Sequence, residues 1–269
     1  MRKIGLIGAG NMGSAILRGM INADYIKASQ VIVCDKSEKR MEELSAELPQ
    51  AILCDDPAEL AAQADVILLA VKPNVMADLI ASIRDMLTAD KVVISIAAGW
   101  TVGMLKEALG DAEASLLRVM PNTPALVGEG MTALCAEHTL SEEDFAFAKG
   151  IFEAVGRTVV LPERLFNGVV AVSGSSPAYV YMMIEAMGDA AVREGLPRKV
   201  AYEMAAQSVL GSALMVLSSD EHPGALKDAV CSPAGTTIDA VAALESRGFR
   251  SAIMEAMHVC AEKSASMSK

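Results

Sequence analysis

Eight short runs of apolar and β-branched residues are spread over the first 161 positions, with segments of helical periodicity between them. Strands separated by helices in this way predict a parallel sheet built from right-handed βαβ crossovers. The later runs are spaced more like strands added at the edge of that sheet. The predicted strands are 3–7, 30–34, 51–53, 66–71, 92–96, 116–120, 131–135 and 158–161.

Beyond position 161 the strand pattern stops and long apolar patterns with a period of 3.6 residues replace it. Pro177 and Pro197 stand where two of these helices begin, and Gly195 and Gly248 stand at helix ends. The predicted helices are 163–171, 177–194, 198–218, 236–245 and 249–265. The fold class is therefore α/β, with a Rossmann-type doubly wound domain over 1–161 and an all-helical domain over 162–269.

The helical domain carries more apolar surface than one layer of helices can bury within a single chain. Several of its helices are apolar on both faces, and they are rich in methionine: Met182, Met183, Met187, Met204, Met215, Met254 and Met257. A homodimer formed through this domain accounts for the pattern. The alternative is ordinary core packing, because methionine fills irregular gaps readily.

Charge and composition exclude several classes of partner. A formal net charge of -11 and the lack of any Lys/Arg run argue against nucleic acid and anionic membrane surfaces. No run of about 18 apolar residues predicts a membrane span, and the glycines near the start indicate a strand rather than a secretion signal. The five scattered cysteines fit neither a disulfide framework nor a metal site, so we expect a cytoplasmic protein with a small-molecule partner.

The segment from Ile4 to Gly13 is an apolar strand that turns through G-x-G-x-x-G into a helix over 14–21. Gly8 permits the tight turn, Gly10 lets the backbone approach a pyrophosphate, and Gly13 lets the helix pack against the strand. The amides at the start of that helix favour phosphate binding. The pattern predicts a dinucleotide site.

Asp35 ends the second predicted strand, about twenty residues after the glycine motif, where the ribose hydroxyls of a dinucleotide lie. Its carboxylate favours NADH, because it would repel a 2′-phosphate. Lys36, Lys39 and Arg40 follow directly and have two readings. They form either a phosphate clamp that favours NADPH or the solvated first turn of a helix.

Several further segments resemble the signature blocks of pyrroline-5-carboxylate reductases, and their order and spacing span nearly the whole chain. The blocks are A-V-K-P at 70–73, A-A-G at 97–99, M-P-N-T-P at 120–124, S-G-S-S-P-A-Y at 173–179, H-P-G-A-L-K-D at 222–228 and S-P-A-G-T-T-I at 232–238. The resemblance implies NADPH- or NADH-dependent reduction of 1-pyrroline-5-carboxylate to L-proline, the last step of proline biosynthesis. It also implies a homodimer and makes a decamer of five dimers plausible.

The glycine motif with the residues after the second strand, and the resemblance for the later blocks, assign roles to individual residues. The cofactor-binding set is Gly8, Ala9, Gly10, Asn11, Met12, Gly13, Asp35, Lys36, Ala70, Val71, Lys72, Pro73, Ala97, Ala98, Gly99 and Asn122. The substrate-binding set is Glu163, Ser232, Gly235, Thr236 and Thr237. Thr237 is the catalytic residue of this assignment, placed near the ring nitrogen of the substrate.

The sequence departs from the usual family pattern at three positions. Pro57 replaces an asparagine expected at the adenosine ribose, Asp35 replaces a small polar residue of NADPH-using relatives, and Ala229 replaces a frequent asparagine in the substrate loop. The first two changes bear on cofactor preference and the third on substrate affinity.

Two other functions fit parts of the pattern. A hydroxyacid dehydrogenase has a similar layout but needs a general base, commonly a lysine after the S-G block, and no lysine occurs between Lys149 and Lys199. A dinucleotide-sensing protein would bind the cofactor without turnover. His138, His222 and His258 are general-acid candidates by residue type, although their positions indicate structural roles.

Overall fold

The computed structural model describes residues 2–267, and the chain divides into two compact units. The first runs to Ser175 and takes in the chain from Cys260 onward, and the second is Ser176–Val259. The division into domains 1–161 and 162–269, which the sequence pattern indicates, stays a prediction.

The first unit is built on one eight-stranded sheet. Its strands are β1 (Ile4–Ile7), β2 (Val31–Cys34), β3 (Ile52–Leu53), β4 (Val66–Leu69), β5 (Val92–Ser95), β6 (Ser115–Met120), β7 (Gly130–Cys135) and β8 (Gly156–Leu161). All eight predicted strands are present, and their ends lie within two residues of the expected positions. The order is β3-β2-β1-β4-β5-β6-β7-β8.

The first six strands of that order run parallel, β7 pairs antiparallel with β6, and β8 pairs parallel with β7. The last two strands therefore extend the edge of a parallel sheet, as the spacing predicted. Between β1 and β4 the direction in which strands are added reverses. In open α/β sheets ligands bind at such a reversal, outside the carboxyl ends of the strands.

Helices cover both faces of the sheet. They are α1 (Asn11–Asn22), α2 (Glu38–Glu47), α3 (Pro57–Gln63), α4 (Met76–Ile83), α5 (Val102–Leu109), α6 (Glu142–Glu153) and α7 (Phe166–Val169). One core cluster joins the sheet to α3, α4 and α5, and a second joins it to α1, α2 and α6. Strands β1, β2, β4 and β5 are buried at every residue, which explains why they read as continuous apolar runs.

The second unit is helical. Its helices are α8 (Ser176–Arg193), α9 (Arg198–Ser218), α10 (Pro223–Val230), α11 (Thr236–Ser246) and the first half of α12 (Phe249–Met267). Helix α10 is absent from the helices predicted from the sequence, and His222 is its N-cap. Pro223 occupies the first turn of the helix, and His222 Nδ1 accepts the Gly224 N–H at 3.0 Å.

Helices of the second unit leave large apolar side chains exposed. Among them are Tyr181, Met182, Met204, Leu214, Met215, Leu217 and Met254. Helix α9 is 21 residues long and buries only Ala201 and Ala205. Among the described residues, α9 is also the one helix whose length and composition match a membrane span.

Candidate functional site

The glycine-rich loop connects β1 to α1, and its three motif glycines are needed for different reasons. Gly8 has φ of +99°, and a Cβ on it would lie 2.6 Å from the Ala70 carbonyl oxygen. A Cβ on Gly13 would lie 2.1 Å from the Gly8 carbonyl oxygen. Gly10 differs, because a Cβ there would meet nothing within 4 Å. Gly8 and Gly13 thus serve close packing, whereas Gly10 leaves open space above the backbone.

The start of α1 fits a phosphate group. Gly10 is its N-cap, no side chain caps the helix, and the first turn holds no acidic residue. Gly10 and Asn11 are exposed. Because the first amides of a helix lack internal acceptors and carry the positive end of its dipole, this position suits the pyrophosphate of a dinucleotide.

Asp35 holds the glycine-rich loop through its carboxylate. Oδ2 accepts the Ala9 N–H at 2.6 Å, and Oδ1 accepts the Ser37 N–H at 2.8 Å. A carboxylate has about four acceptor positions, so lone pairs remain for ribose hydroxyls. Asp35 therefore joins β2 to the glycine-rich loop, and its contact with a ribose stays a prediction.

The basic residues after Asp35 lie in different surroundings. Arg40 Nε donates to the Ala9 carbonyl at 2.8 Å, and the same guanidinium contacts Ser14 Oγ and pairs with Glu43. Lys36 and Lys39 are exposed at the start of α2. Arg40 thus lies against the glycine-rich loop, whereas both lysines are exposed, Lys36 before the N-cap and Lys39 in the first turn of α2.

Two further loops leave the carboxyl ends of β4 and β5, at 70–73 and 97–100. A side chain that the sequence reading overlooked joins them: Trp100 Nε1 donates to the Pro73 carbonyl at 3.0 Å. Lys72 is exposed, and Gly99 has φ of +81°. The single tryptophan of the chain was the only signal available, and tryptophan usually finds a partner for its N–H when partly buried.

A nearly buried ion pair lies beside the start of α5. Arg118 Nη1 and Glu163 Oε1 are 2.6 Å apart, and the Arg118 side chain is 5% exposed. The same Oε1 accepts the Val102 N–H at 2.6 Å. The Arg118 guanidinium also lies 4.6 Å from the centre of the Phe166 ring. Arg118 was absent from the predicted site, because nothing in the sequence links it to Glu163.

Glu163 is held by its backbone as well. Its N–H donates to Glu137 Oε2 at 2.8 Å, and this bond is the main cause that lowers the pKa of Glu137. Glu163 was predicted to bind substrate, and that role stays a prediction. The structure gives its carboxylate two protein partners.

Asn122 uses both ends of its side chain within the first unit. Nδ2 donates to the Ser173 carbonyl at 3.0 Å, and Oδ1 accepts the Met131 N–H at 2.8 Å. The residue is 7% exposed. It therefore connects the M-P-N-T-P block to the S-G-S-S-P block.

The predicted carboxylate receptor lies in the second unit, where the loop from Ser232 leads into α11. Gly235 is the N-cap, no side chain caps the helix, and Thr236 and Thr237 are its first two residues. Ala234 has φ of +58°, and the Gly235 N–H donates to the Ser232 carbonyl at 3.0 Å. The loop thus ends on helix amides that lack a side-chain acceptor.

Other titratable groups have structural partners. His138 stacks on Phe145 and accepts the Leu140 N–H, while His222 caps α10. Burial raises the pKa of the Cys34 thiol to about 11 and that of Cys135 to about 12. Over residues 2–267, no group of three or more His, Cys, Asp or Glu residues could hold a metal ion.

Two known family models match different parts of the chain. Residues 3–99 match the family model described as NADP oxidoreductase, coenzyme F420-dependent. Together with the doubly wound sheet and the glycine-rich loop, this match places the protein among the Rossmann-type NAD(P)-dependent oxidoreductases. Residues 163–267 match the model for pyrroline-5-carboxylate reductase dimerisation, so the chain also carries a dimerisation domain.

Full-length relatives define the family. The chain is 49% identical to a pyrroline-5-carboxylate reductase of Escherichia coli over 269 residues, covering 100% of this chain and 99% of the relative. It is 41% identical to the enzyme of that name from Methanosarcina acetivorans over 268 residues, covering 100% and 98%. The chain belongs to the pyrroline-5-carboxylate reductase family.

Solved structures agree with this. The Plasmodium falciparum pyrroline carboxylate reductase with NADP bound has a TM-score of 0.90 and 34% identity, covering 100% of this chain and 98% of its own. The Coxiella burnetii pyrroline-5-carboxylate reductase has a TM-score of 0.91 and 32% identity, covering 100% and 99%. The predicted family and fold class are confirmed, and so is the use of NAD(P)H.

Proposed function

We propose that the protein reduces 1-pyrroline-5-carboxylate to L-proline with NADPH or NADH, the last step of proline biosynthesis. The observation that carries this proposal is the family relationship over the full length of the chain, at 49% identity to the E. coli enzyme. The open backbone at Gly10 supplies independent support for dinucleotide binding. Steady-state oxidation of NADPH and NADH with 1-pyrroline-5-carboxylate tests it, and tight cofactor binding without turnover would indicate a sensor.

The reaction needs positioning more than acid–base chemistry. When bound, the reduced nicotinamide supplies a hydride, which adds to C5 of the protonated C=N bond, and the ring nitrogen keeps the proton. The amides at the start of α1 would hold the pyrophosphate, and the loops at 70–73 and 97–99 would hold the nicotinamide and its ribose. Asn122 supports that region through its bonds to Ser173 and Met131.

The substrate carboxylate is the natural handle for orientation. We assign it to the Ser232–Thr237 loop, because the start of α11 has no side-chain cap and its amides suit an anion. Thr237 then places its hydroxyl at the ring nitrogen. Holding the imine carbon in line with the hydride donor raises the rate by proximity and orientation.

Substitution at Thr237 tests this assignment. Thr237→Ala removes the hydroxyl and should lower kcat/KM by about tenfold to a thousandfold, or about 1.4–4 kcal/mol of transition-state stabilisation. Thr237→Ser should retain most of the rate. His138→Asn is the control, since His138 serves a loop and should leave kcat/KM within about twofold.

A circular-dichroism spectrum of each variant checks that the fold is intact. An unimpaired Thr237→Ala enzyme would remove Thr237 from the reaction. A folded but inactive His138 variant would show that a histidine moves the proton instead.

The assembly is proposed to be a homodimer formed by the helical unit, and larger particles would be decamers of five dimers. Helix α9 buries two of its 21 residues, and apolar side chains such as Met204 and Leu214 stay exposed on it. A second copy with the same surface would cover them. We propose that this association takes place in the cytoplasm, in which case α9 does not enter a membrane.

Light scattering at low protein concentration measures the assembly directly. A stable, active monomer would overturn the dimer. Flotation with lipid vesicles provides the second test, because a membrane helix would carry the protein to the top of the gradient.

A further inference from the structure

Two hydrogen bonds attach the chain that leads from β5 into α5 to other parts of the first unit. Trp100 Nε1 donates to the Pro73 carbonyl at 3.0 Å, which ties the loop to its neighbour after β4. Two residues further on, the Val102 N–H donates to Glu163 Oε1 at 2.6 Å. The three residues before Trp100 are Ala97, Ala98 and Gly99, the segment assigned to the nicotinamide.

Glu163 is fixed in place by several hydrogen bonds, and its side chain is 27% exposed. Its Oε1 also accepts from Arg118 at 2.6 Å, and its backbone N–H is bonded to Glu137. Arg118 is 5% exposed and lies over the Phe166 ring. Hydrogen bonds between charged groups are short and strong, and a buried guanidinium without its partner is costly.

The Val102 N–H belongs to the first turn of α5, where an amide has no acceptor within the helix. Thr101 Oγ1 accepts a different amide, that of Met104. The Glu163 carboxylate therefore completes the cap and also interacts with the positive end of the helix dipole. Without it, the chain loses one attachment three residues beyond Gly99, whose φ of +81° is a conformation that favours glycine.

We infer that Glu163 and Arg118 are positioning residues for hydride transfer, acting through Val102 on the nicotinamide segment 97–99. They hold the chain at Val102, two residues beyond the Trp100 attachment. This inference rests on the proposed function only in that 97–99 lie along the nicotinamide. It gives Glu163 a different task from the substrate contact that the resemblance implied. Hydride transfer is sensitive to such support, since a displacement of about 1 Å can cost about a hundredfold in rate.

Two conservative substitutions at Glu163 separate the alternatives. Glu163→Gln keeps the length and an acceptor for the Val102 N–H but loses the charge. Glu163→Asp keeps the charge but is one methylene shorter, which withdraws the acceptor from Val102. A positioning role predicts that Gln is the milder change, whereas a charge that binds substrate predicts that Asp is milder.

The readouts include two that need no turnover. Trp100 is the only tryptophan, so its emission in the cofactor-free protein reports the state of the segment. NADPH affinity is measured by titration without substrate. We expect Glu163→Asp and Arg118→Gln to shift Trp100 emission, to weaken NADPH binding by about threefold to tenfold and to lower kcat by about tenfold to a hundredfold. The KM for the imine should change far less.

An isotope effect adds a test that a purely structural role would not pass. With NADH deuterated at the transferred position, misalignment should raise the isotope effect on kcat, because the chemical step then limits turnover. Arg157→Gln is the matched control, since it removes an exposed arginine of the same unit and should change none of these quantities.

Two results together would overturn the inference. Glu163→Asp would lower kcat less than Glu163→Gln does, and Glu163→Gln would mainly raise the KM for the imine. The inference is also overturned if Trp100 emission and NADPH affinity are unchanged in every variant. Neither of these two measurements uses substrate, so they remain decisive even if the protein reduces a different imine.

Discussion

Substitution of Asp35 should change the preference between NADPH and NADH, and the contacts of its carboxylate give the expected size of that change. Its carboxylate makes two bonds to backbone amides, at 2.6 Å to Ala9 and 2.8 Å to Ser37. Asp35→Ser removes the charge and shortens the side chain, so both bonds are affected. Asp35→Asn removes the charge but keeps one acceptor oxygen at full length.

Substitution of Asp35 has two effects, one that is shared by both cofactors and one that acts on NADPH alone. Loss of the charged bond to the glycine-rich loop costs about 1.5–3 kcal/mol and affects both cofactors, because both place a pyrophosphate on that loop. Loss of the charge also removes repulsion of a 2′-phosphate. Two negative charges at about 6 Å in water repel a carboxylate by about 1.4 kcal/mol, which corresponds to about tenfold.

The assay is kcat/KM for NADPH and for NADH at saturating imine. Asp35→Ser should lower the value for NADH by about tenfold or more, while the NADPH/NADH ratio rises by about tenfold. Asp35→Asn should give the same rise in the ratio with a smaller loss for NADH. If the ratio stays constant in both variants, Asp35 does not face the 2′ position and serves only the loop.

Two other perturbations have outcomes that the structure fixes. Gly13→Ala places a Cβ 2.1 Å from the Gly8 carbonyl oxygen, so it should lower the free energy of unfolding by about 1–3 kcal/mol in urea titrations and weaken NADH binding. Gly103→Ala is the control, because the nearest atom to a Cβ at that position is 3.7 Å away. Burial raises the pKa of Cys34 to about 11 and that of Cys135 to about 12. From pH about 8.5, where unfolded thiols begin to lose their protons, to pH about 11, the free energy of unfolding should therefore fall as the pH rises. A urea midpoint that stays constant over that range would contradict the shielding of these thiols.

The sheet could be predicted from the sequence because its strands are buried on both faces. Val31–Cys34 is a continuous apolar run between Gln30 and Asp35, and Val66–Leu69 belongs to an apolar run that starts after Asp65 and ends before Lys72. Such runs leave few alternatives to a buried strand. The glycine-rich loop could be predicted for the same kind of reason, since Gly8 and Gly13 sit where a side chain would collide with backbone.

Helix α10 was missed because its start contains Pro223 and Gly224, residues that usually mark a turn. The His222 side chain supplies the cap, and a histidine is an unusual cap to expect from sequence. Residue preferences therefore indicate a turn at Pro223 and Gly224, whereas the His222 side chain caps the start of a helix there.

The Arg118–Glu163 pair was missed for a different reason. The partners are 45 positions apart, and Glu163 reaches Val102 over 61 positions. Local periodicity carries no information about such pairings, because only the packed sheet brings the strand end, the helix start and the segment after β8 together. The resemblance gave the motifs and their order but not the contacts between them.

Helix α9 has a consequence for how the protein behaves at different concentrations. A helix that buries two of its 21 residues draws little stability from its own chain. If a second copy covers the remaining apolar residues of α9, folding and association are coupled in one equilibrium. Dilution then lowers the stability of the folded chain. Each tenfold drop in protomer concentration then removes about 1.4 kcal/mol from the assembled state. Melting temperature would therefore rise with protein concentration, and a cell that makes little of this chain would hold it in a less stable form.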